Sequence, residues 1–256
     1  MFSFQNQLIS FSKPTMKVPT YIFLLTTLYT FTIAASVTTY NAFYLVFWWP
    51  PSYCKSSVPS KCNKPYKDDN FTLHGMWPVN IGGRSPNPRK CKGPPFDANK
   101  LINSPIIGEL NKLWPNFDAK QSNNKLWKHE WVEHGICTGW DLFQYYKKSI
   151  DRVEQVNILR VLETAVLKLV KILLLEQALL QTMLKYNIDD IKRAFNHLTR
   201  PIIHCNKEKS NPEKMLFQVY FCLDRNGEQF QDCPLMPENE LVFGCKTGDE
   251  AVFPSA

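Results

Sequence analysis

The sequence has no C-x-x-C pair, no H-E-x-x-H motif, no internal repeat, no low-complexity linker and no apolar stretch of the roughly 20 residues that a membrane span needs. The first two absences argue against a zinc ribbon and a zinc protease. Among eight cysteines the closest pair, Cys54 and Cys62, is eight apart. The nearest approach to the protease motif is His129-Glu130-x-x-x-His134. Its gap of five turns the two histidines about 140° apart on a helix, so they do not share a face.

What the N-terminus has instead of a span is a shorter uncharged run from Tyr21, preceded by Lys17 and closing on the small residues Ala34, Ala35 and Ser36. Charge, length and cleavage chemistry predict a signal peptide over 1–36, leaving 37–256 as a single domain of a secreted, extracellular protein. Met16-Lys17 would itself make a normal start, so 1–15 reads as an upstream extension of the gene. All eight cysteines follow the leader, and an even count in an exported chain implies four disulfides. Spacing alone leaves every pairing of the eight open. The mature part has 28 basic against 23 acidic residues, a net charge of +5, compatible with a polyanionic partner and equally with plain solubility.

Phe43 to Trp49 is aromatic and β-branched enough for a buried strand stopped by Pro50-Pro51, and Phe71 to Trp77 reads as a second strand ended by Pro78. Cys54 to Asn70 and Gly82 to Pro95 are rich in polar residues and proline and read as loops. Asp97 is placed as the N-cap of a helix toward Leu113, interrupted near Pro105. Leu126 to His134 reads as a short helix closed by a Gly135 cap, Asp141 to Lys148 as another, and Val153 to Tyr186 as a long amphipathic helix or two. Leu216 to Leu223 and Leu241 to Cys245 read as strands, with a turn at Asn226-Gly227. Mixed elements without regular alternation predict an α+β domain.

Histidine placement carries the chemistry: His74 on the strand, His129 and His134 on the helix with Glu130 between them, and Trp77, Trp127 and Trp131 alongside. RNA carries its own nucleophile, the ribose 2′-OH. An enzyme then needs one group to take that proton and one to protonate the departing 5′-oxygen, and histidine does either near neutrality. A third group must offset transition-state charge, a contribution on the order of 3 kcal/mol. Such a site works with no metal and no other cofactor. For any single histidine, a hydrogen-bonded structural role is the commoner one.

Two blocks, Phe71-Thr-Leu-His-Gly-Met-Trp-Pro78 and His129-Glu-Trp-Val-Glu-His-Gly-Ile-Cys137, resemble the two signatures of the ribonuclease T2 family, and within it the plant S-RNases of self-incompatibility. The likeness runs from about Phe43 to the late cysteines. It implies a ribonuclease T2-like fold with a central antiparallel sheet and several helices. It also implies cleavage of single-stranded RNA to a 2′,3′-cyclic phosphate that is then hydrolysed. By resemblance His74 is the general acid, His134 the general base, Glu130 the third catalytic residue and His129 a phosphate contact. Trp77 and Trp127 fall where the family packs its base site, although either would also serve as core. The family's disulfides would pair Cys54 with Cys62, Cys91 with Cys137, Cys205 with Cys245 and Cys222 with Cys233, the second fixing His74 relative to His134. Asn70-Phe71-Thr72 is a sequon, so Asn70 is expected to carry a glycan on a surface strand start.

Three departures bear on function. Glu133 stands where the family has lysine; a carboxylate there would repel phosphate, raise the pKa of neighbouring histidines and lower activity. Lys128 points elsewhere on the helix and does not replace the missing charge. Trp48 and Val79 replace polar residues, which bears on base preference. Leu162 to Thr182 is longer and richer in leucine than the family's segment, an insertion or a retained intron. The expected protein is a monomeric ribonuclease with RNA as substrate, no membrane association and protein partners in pollen recognition; the alternative is a catalytically weakened binding, storage or defence protein.

Overall fold

The computed structural model describes residues 40–56, 62, 70–81, 85–164, 185–208, 211–234 and 244–254. The expected leader, most of the Leu162 to Thr182 segment and residues 241–243 of the last expected strand lie outside them. Gly244 and Cys245, the rest of that expectation, are not in a strand.

Thirteen-residue β5 (Asn211–Leu223) is the spine of a sheet whose described strands number seven. Antiparallel β1 (Ala42–Trp48) lies on one side of it, in the register Phe43 to Leu223 through Trp48 to Gln218. Strand β4 (Ile202–Glu208) pairs with it antiparallel on the other side. Strand β2 (Thr72–Val79) pairs with β1 at the sheet edge. Short β3 (Lys185–Asn187), β6 (Phe230–Gln231) and β7 (Glu250–Val252) complete it. Among the described strands only the β5–β7 pairing, Met215 to Val252, is parallel. Edge position explains why β2 runs through Pro78 to Val79 instead of ending there: a missing N–H costs nothing on the unpaired side. β1 is flanked on both sides and its side chains are buried except Tyr44, as its near-continuous apolar run requires.

Helices pack against the sheet through the main core. Pro50–Ser56 forms α1, where the sequence suggested only a stop; two prolines end a strand and equally begin a helix, whose first N–H groups are free anyway. Ala98–Ile102 (α2) starts at the expected cap, the Asp97 side chain accepting from Asn99 N–H, and Ile107–Leu113 (α3) follows beyond Pro105. Asn123–Glu133 (α4) buries Leu126, Trp127, Glu130 and Trp131. Leu142–Val156 (α5) opens with a capping box between Asp141 and Gln144 and buries Tyr145, Tyr146 and Ile150. It outlasts the expected Lys148 and stops at Asn157, whose φ of 37° ends the helix inside the long stretch expected from Val153. Residues 158–164 are again helical, and Ile188–Ala194 forms α6.

Leu45, Phe47, Leu73, Met76, Leu216 and Phe221 meet Trp114, Trp131 and Tyr145 in the main core. At about 25 cal/mol per Å² of apolar surface removed from water, aromatic burial of this extent dominates the stabilisation. Disulfides join Cys54 to Cys62, Cys91 to Cys137, Cys205 to Cys245 and Cys222 to Cys233, the pairing that the family resemblance implies. The expected turn at Asn226-Gly227 is present: Gly227 has φ 68° and its N–H donates to Asp224 O at 3.0 Å. No described helix is long and apolar enough to cross a membrane.

Candidate active site

A β-bulge builds the site. Val46 pairs with Gly75 and Phe47 with Leu73, so His74 is the extra residue of β2. In a strictly alternating strand positions 74 and 77 point to opposite faces. The bulge turns His74, Gly75 and Trp77 to the same side. A Cβ at Gly75 would overlap Glu130 Oε2 and Trp77 Nε1, so the one glycine of the block makes room for the carboxyl.

From the other wall, α4 brings Glu130 and, one turn on, His134 at its C-cap. Trp77 sits between them. Its indole N–H donates to Glu130 Oε2 at 2.8 Å, its ring stacks on His134 at 4.8 Å between centroids, and its edge relation to His74 is also 4.8 Å. His74 Nε2 lies 3.6 Å from Glu130 Oε1. That oxygen is buried and makes no hydrogen bond. Behind His74, Trp48 stacks at 3.8 Å. Gln218, buried at 4% exposure, approaches His74 Nδ1 at 2.7 Å through Nε2.

Burial dominates the charge states. It pushes the Glu130 carboxyl up to about 8, against the Trp77 hydrogen bond and with a smaller push from Glu133. It holds His74 well below the usual histidine range, with His134, His129 and His204 adding to the depression, and takes His134 down to about 3, helped by His129. Near neutrality the site therefore holds a protonated carboxyl and neutral imidazoles. The expectation that Glu133 raises the histidines is not met: Glu133 is exposed and acts on Glu130, while both imidazoles are lowered.

His74, Glu130, His134 and Trp77 thus converge, with His129 exposed on α4 close enough to influence both rings. Trp127 does not join them. It is 1% exposed and donates to Trp114 O at 2.9 Å, while Trp114 in turn donates to His74 O at 2.7 Å. It belongs to the packing that holds the His74 backbone and offers no face to a base. Trp48, Gln218, His204 and Tyr220 also belong to the site, with no signal along the sequence beyond Trp48 standing in place of a polar residue. They become legible only through pairing, because Gln218 is opposite both Trp48 and His204 across the sheet. Asn70 is exposed two residues before β2. Among the described residues no group of three or more His, Cys, Asp or Glu is placed to hold a metal ion.

A profile of the ribonuclease T2 family matches residues 40–233. The chain belongs to the ribonuclease T2 family. It is similar to intracellular ribonuclease LX of Solanum lycopersicum, 30% identical over 223 residues that cover 84% of each chain. In structure this T2 protein is similar to RNase NT, solved with 5′-AMP, at a TM-score of 0.66 and 27% identity over 84% of this chain and 98% of that one. It is likewise similar to Japanese pear S3-RNase, at a TM-score of 0.64 and 26% identity over 82% and 98%. The α+β fold with four disulfides is the T2 fold that the two motif blocks implied.

Proposed function

We propose that this T2 ribonuclease is exported and cuts single-stranded RNA, with His134 taking the 2′-OH proton and His74 protonating the 5′-oxygen. The 2′-oxygen bonds to phosphorus as the P–O5′ bond breaks, leaving a 2′,3′-cyclic phosphate; water then opens the ring with the two roles exchanged. The observation that carries this reading is that both imidazoles pack on the one Trp77 ring, beside one buried carboxyl. His134 is neutral and ready as a base. Glu130, while protonated, donates from Oε1 to a non-bridging oxygen, a contribution on the order of 3 kcal/mol to the transition state. An arriving phosphate brings the negative charge that raises His74 toward imidazolium, and Trp48 stacked on it favours the cation. His129 contacts a neighbouring phosphate from its exposed position.

Export is supported by the leader pattern and four disulfides, and a glycan on exposed Asn70 fits the same route. The protein most similar in sequence of those above is named intracellular, so the location is tested directly: tagged chain expressed in plant cells should appear in the apoplast, and retention inside overturns it. The basic balance and the likeness to a pear S-RNase support a self-incompatibility role, as a monomer with protein partners in pollen recognition. Incubation of the folded protein with polyuridylate and EDTA should release 2′,3′-cyclic phosphate ends. No such product sinks the nuclease reading.

One observation favours a second reading, a weakened enzyme serving as a binding, storage or defence protein: the exposed carboxyl of Glu133 stands next to His134, where it repels an arriving phosphate. Glu133→Lys separates the two. A tenfold or larger rise in kcat/KM supports impairment, and no change removes its motive.

A further inference from the structure

Gln218 lies in a cross-strand row on the sheet face that carries the site, directly opposite His204 on β4 and Trp48 on β1. Its amide is spoken for at both ends. The nitrogen is 2.7 Å from His74 Nδ1, and the oxygen accepts from the Tyr220 hydroxyl at 2.7 Å and stands 3.0 Å from His204 Nδ1. An amide nitrogen only donates and an amide oxygen only accepts. With the amide in this orientation, a neutral His74 ring accepts at Nδ1 and carries its hydrogen on Nε2, and His204 donates from Nδ1.

We infer that Gln218 is a positioning residue that governs the protonation of His74: its amide keeps Nδ1 of the neutral ring free of hydrogen and must turn over before the ring becomes an imidazolium. A hydrogen on Nδ1 would face the amide NH₂, donor against donor. Turning the amide over presents the oxygen to Nδ1–H instead. The NH₂ then meets the Tyr220 oxygen, which accepts once its hydroxyl rotates, and His204 Nδ1, which accepts once that ring holds its hydrogen on Nε2. Each partner can reverse its role, so the amide meets a matched partner at both ends in either orientation, one for neutral and one for charged His74. The other titratable groups facing His74 are Glu130, His129 and His134 from α4 and His204 from β4. Glu130 faces Nε2, not Nδ1. Trp48 and Gln218 thus hold the ring by its face and its inner nitrogen, leaving Nε2 to the cleft.

This inference rests on His74 being the proton donor, and the test separates the two claims. ¹⁵N spectra of the labelled protein, with His74 assigned by comparison with His74→Ala, should show the Nε2–H tautomer above the His74 transition; an Nδ1–H ring overturns the contact whatever the activity. Gln218→Glu supplies a permanent acceptor for Nδ1–H. It should move both the His74 titration and the alkaline limb of kcat/KM upward by a pH unit or more, and an unmoved titration overturns the role. Should that variant fail to fold, the wild-type tautomer still decides. Undiminished cleavage by His74→Ala would sink the donor role and leave the Gln218 result standing.

Discussion

Replacing Glu130 by glutamine should make the protein more stable and much less active, in a pH-dependent way that the geometry specifies. Glu130 has no exposed side-chain surface, accepts one hydrogen bond from Trp77 and leaves Oε1 without a partner. Its carboxyl is pushed from 4.5 to about 8. The folded state therefore holds this proton more tightly than the unfolded state, and stability falls as pH rises from about 4.5 through about 8. At about 1.36 kcal/mol per unit, the loss by pH 7 is about 3 kcal/mol. Glutamine keeps the acceptor for Trp77 and carries no titratable proton. Urea denaturation of both proteins at pH 4 and pH 7 should thus show nearly equal stability at pH 4 and an advantage of about 3 kcal/mol for Glu130→Gln at pH 7. Because glutamine replaces the acidic O–H at Oε1 with a weaker amide donor, kcat should drop, by up to about 10². A stability difference that does not change with pH, or one that favours the wild type at pH 7, refutes the reasoning.

The pH profile of kcat/KM follows from the imidazoles. His134 must be neutral to act as base, and with its pKa held to about 3 it is neutral above that. His74 must be protonated to act as acid, and its lowered value means that this fraction shrinks as pH rises. The maximum should fall on the acid side, above about 3 and below the ordinary histidine value of about 6.5; a maximum at alkaline pH contradicts the assignment. Trp127→Phe removes a buried donor to Trp114 O. Stability should fall by about 1 to 3 kcal/mol, read from the denaturation midpoint, with kcat/KM on dinucleotides unchanged, whereas a base-site role would raise KM.

The sheet and helix walls of the site were legible because each carries a strong local signal. β1 is a continuous aromatic and aliphatic run, α4 buries a helical stripe at 126, 127, 130 and 131, and α5 has its capping pair at Asp141 and Gln144. What stayed hidden depends on neighbours. The bulge at His74 is a mismatch between two strands and has no mark within β2 alone. β3 and β7 are three residues each, defined by their mutual pairing. Gln218 and His204 read as ordinary strand residues until the β4–β5 register sets them opposite each other. Gly135, expected as the cap of α4, opens a 3₁₀ turn without a positive φ; glycine is required there because a Cβ would crowd Trp131 and Tyr145. Tryptophan near a histidine in sequence proved ambiguous in the same way: Trp77 enters the site and Trp127 turns into the core.

The division of labour between the two histidines is tested most directly by changing the leaving group. On uridylyl-3′,5′-adenosine, His74→Ala and His134→Ala should each lower kcat/KM by about 10² to 10⁴. On the 4-nitrophenyl ester of uridine 3′-phosphate, whose leaving group departs without a proton, His74→Ala should recover to about a tenth of wild type or better while His134→Ala stays as impaired as before. Equal loss by His74→Ala on both substrates, or recovery by His134→Ala, would contradict the account.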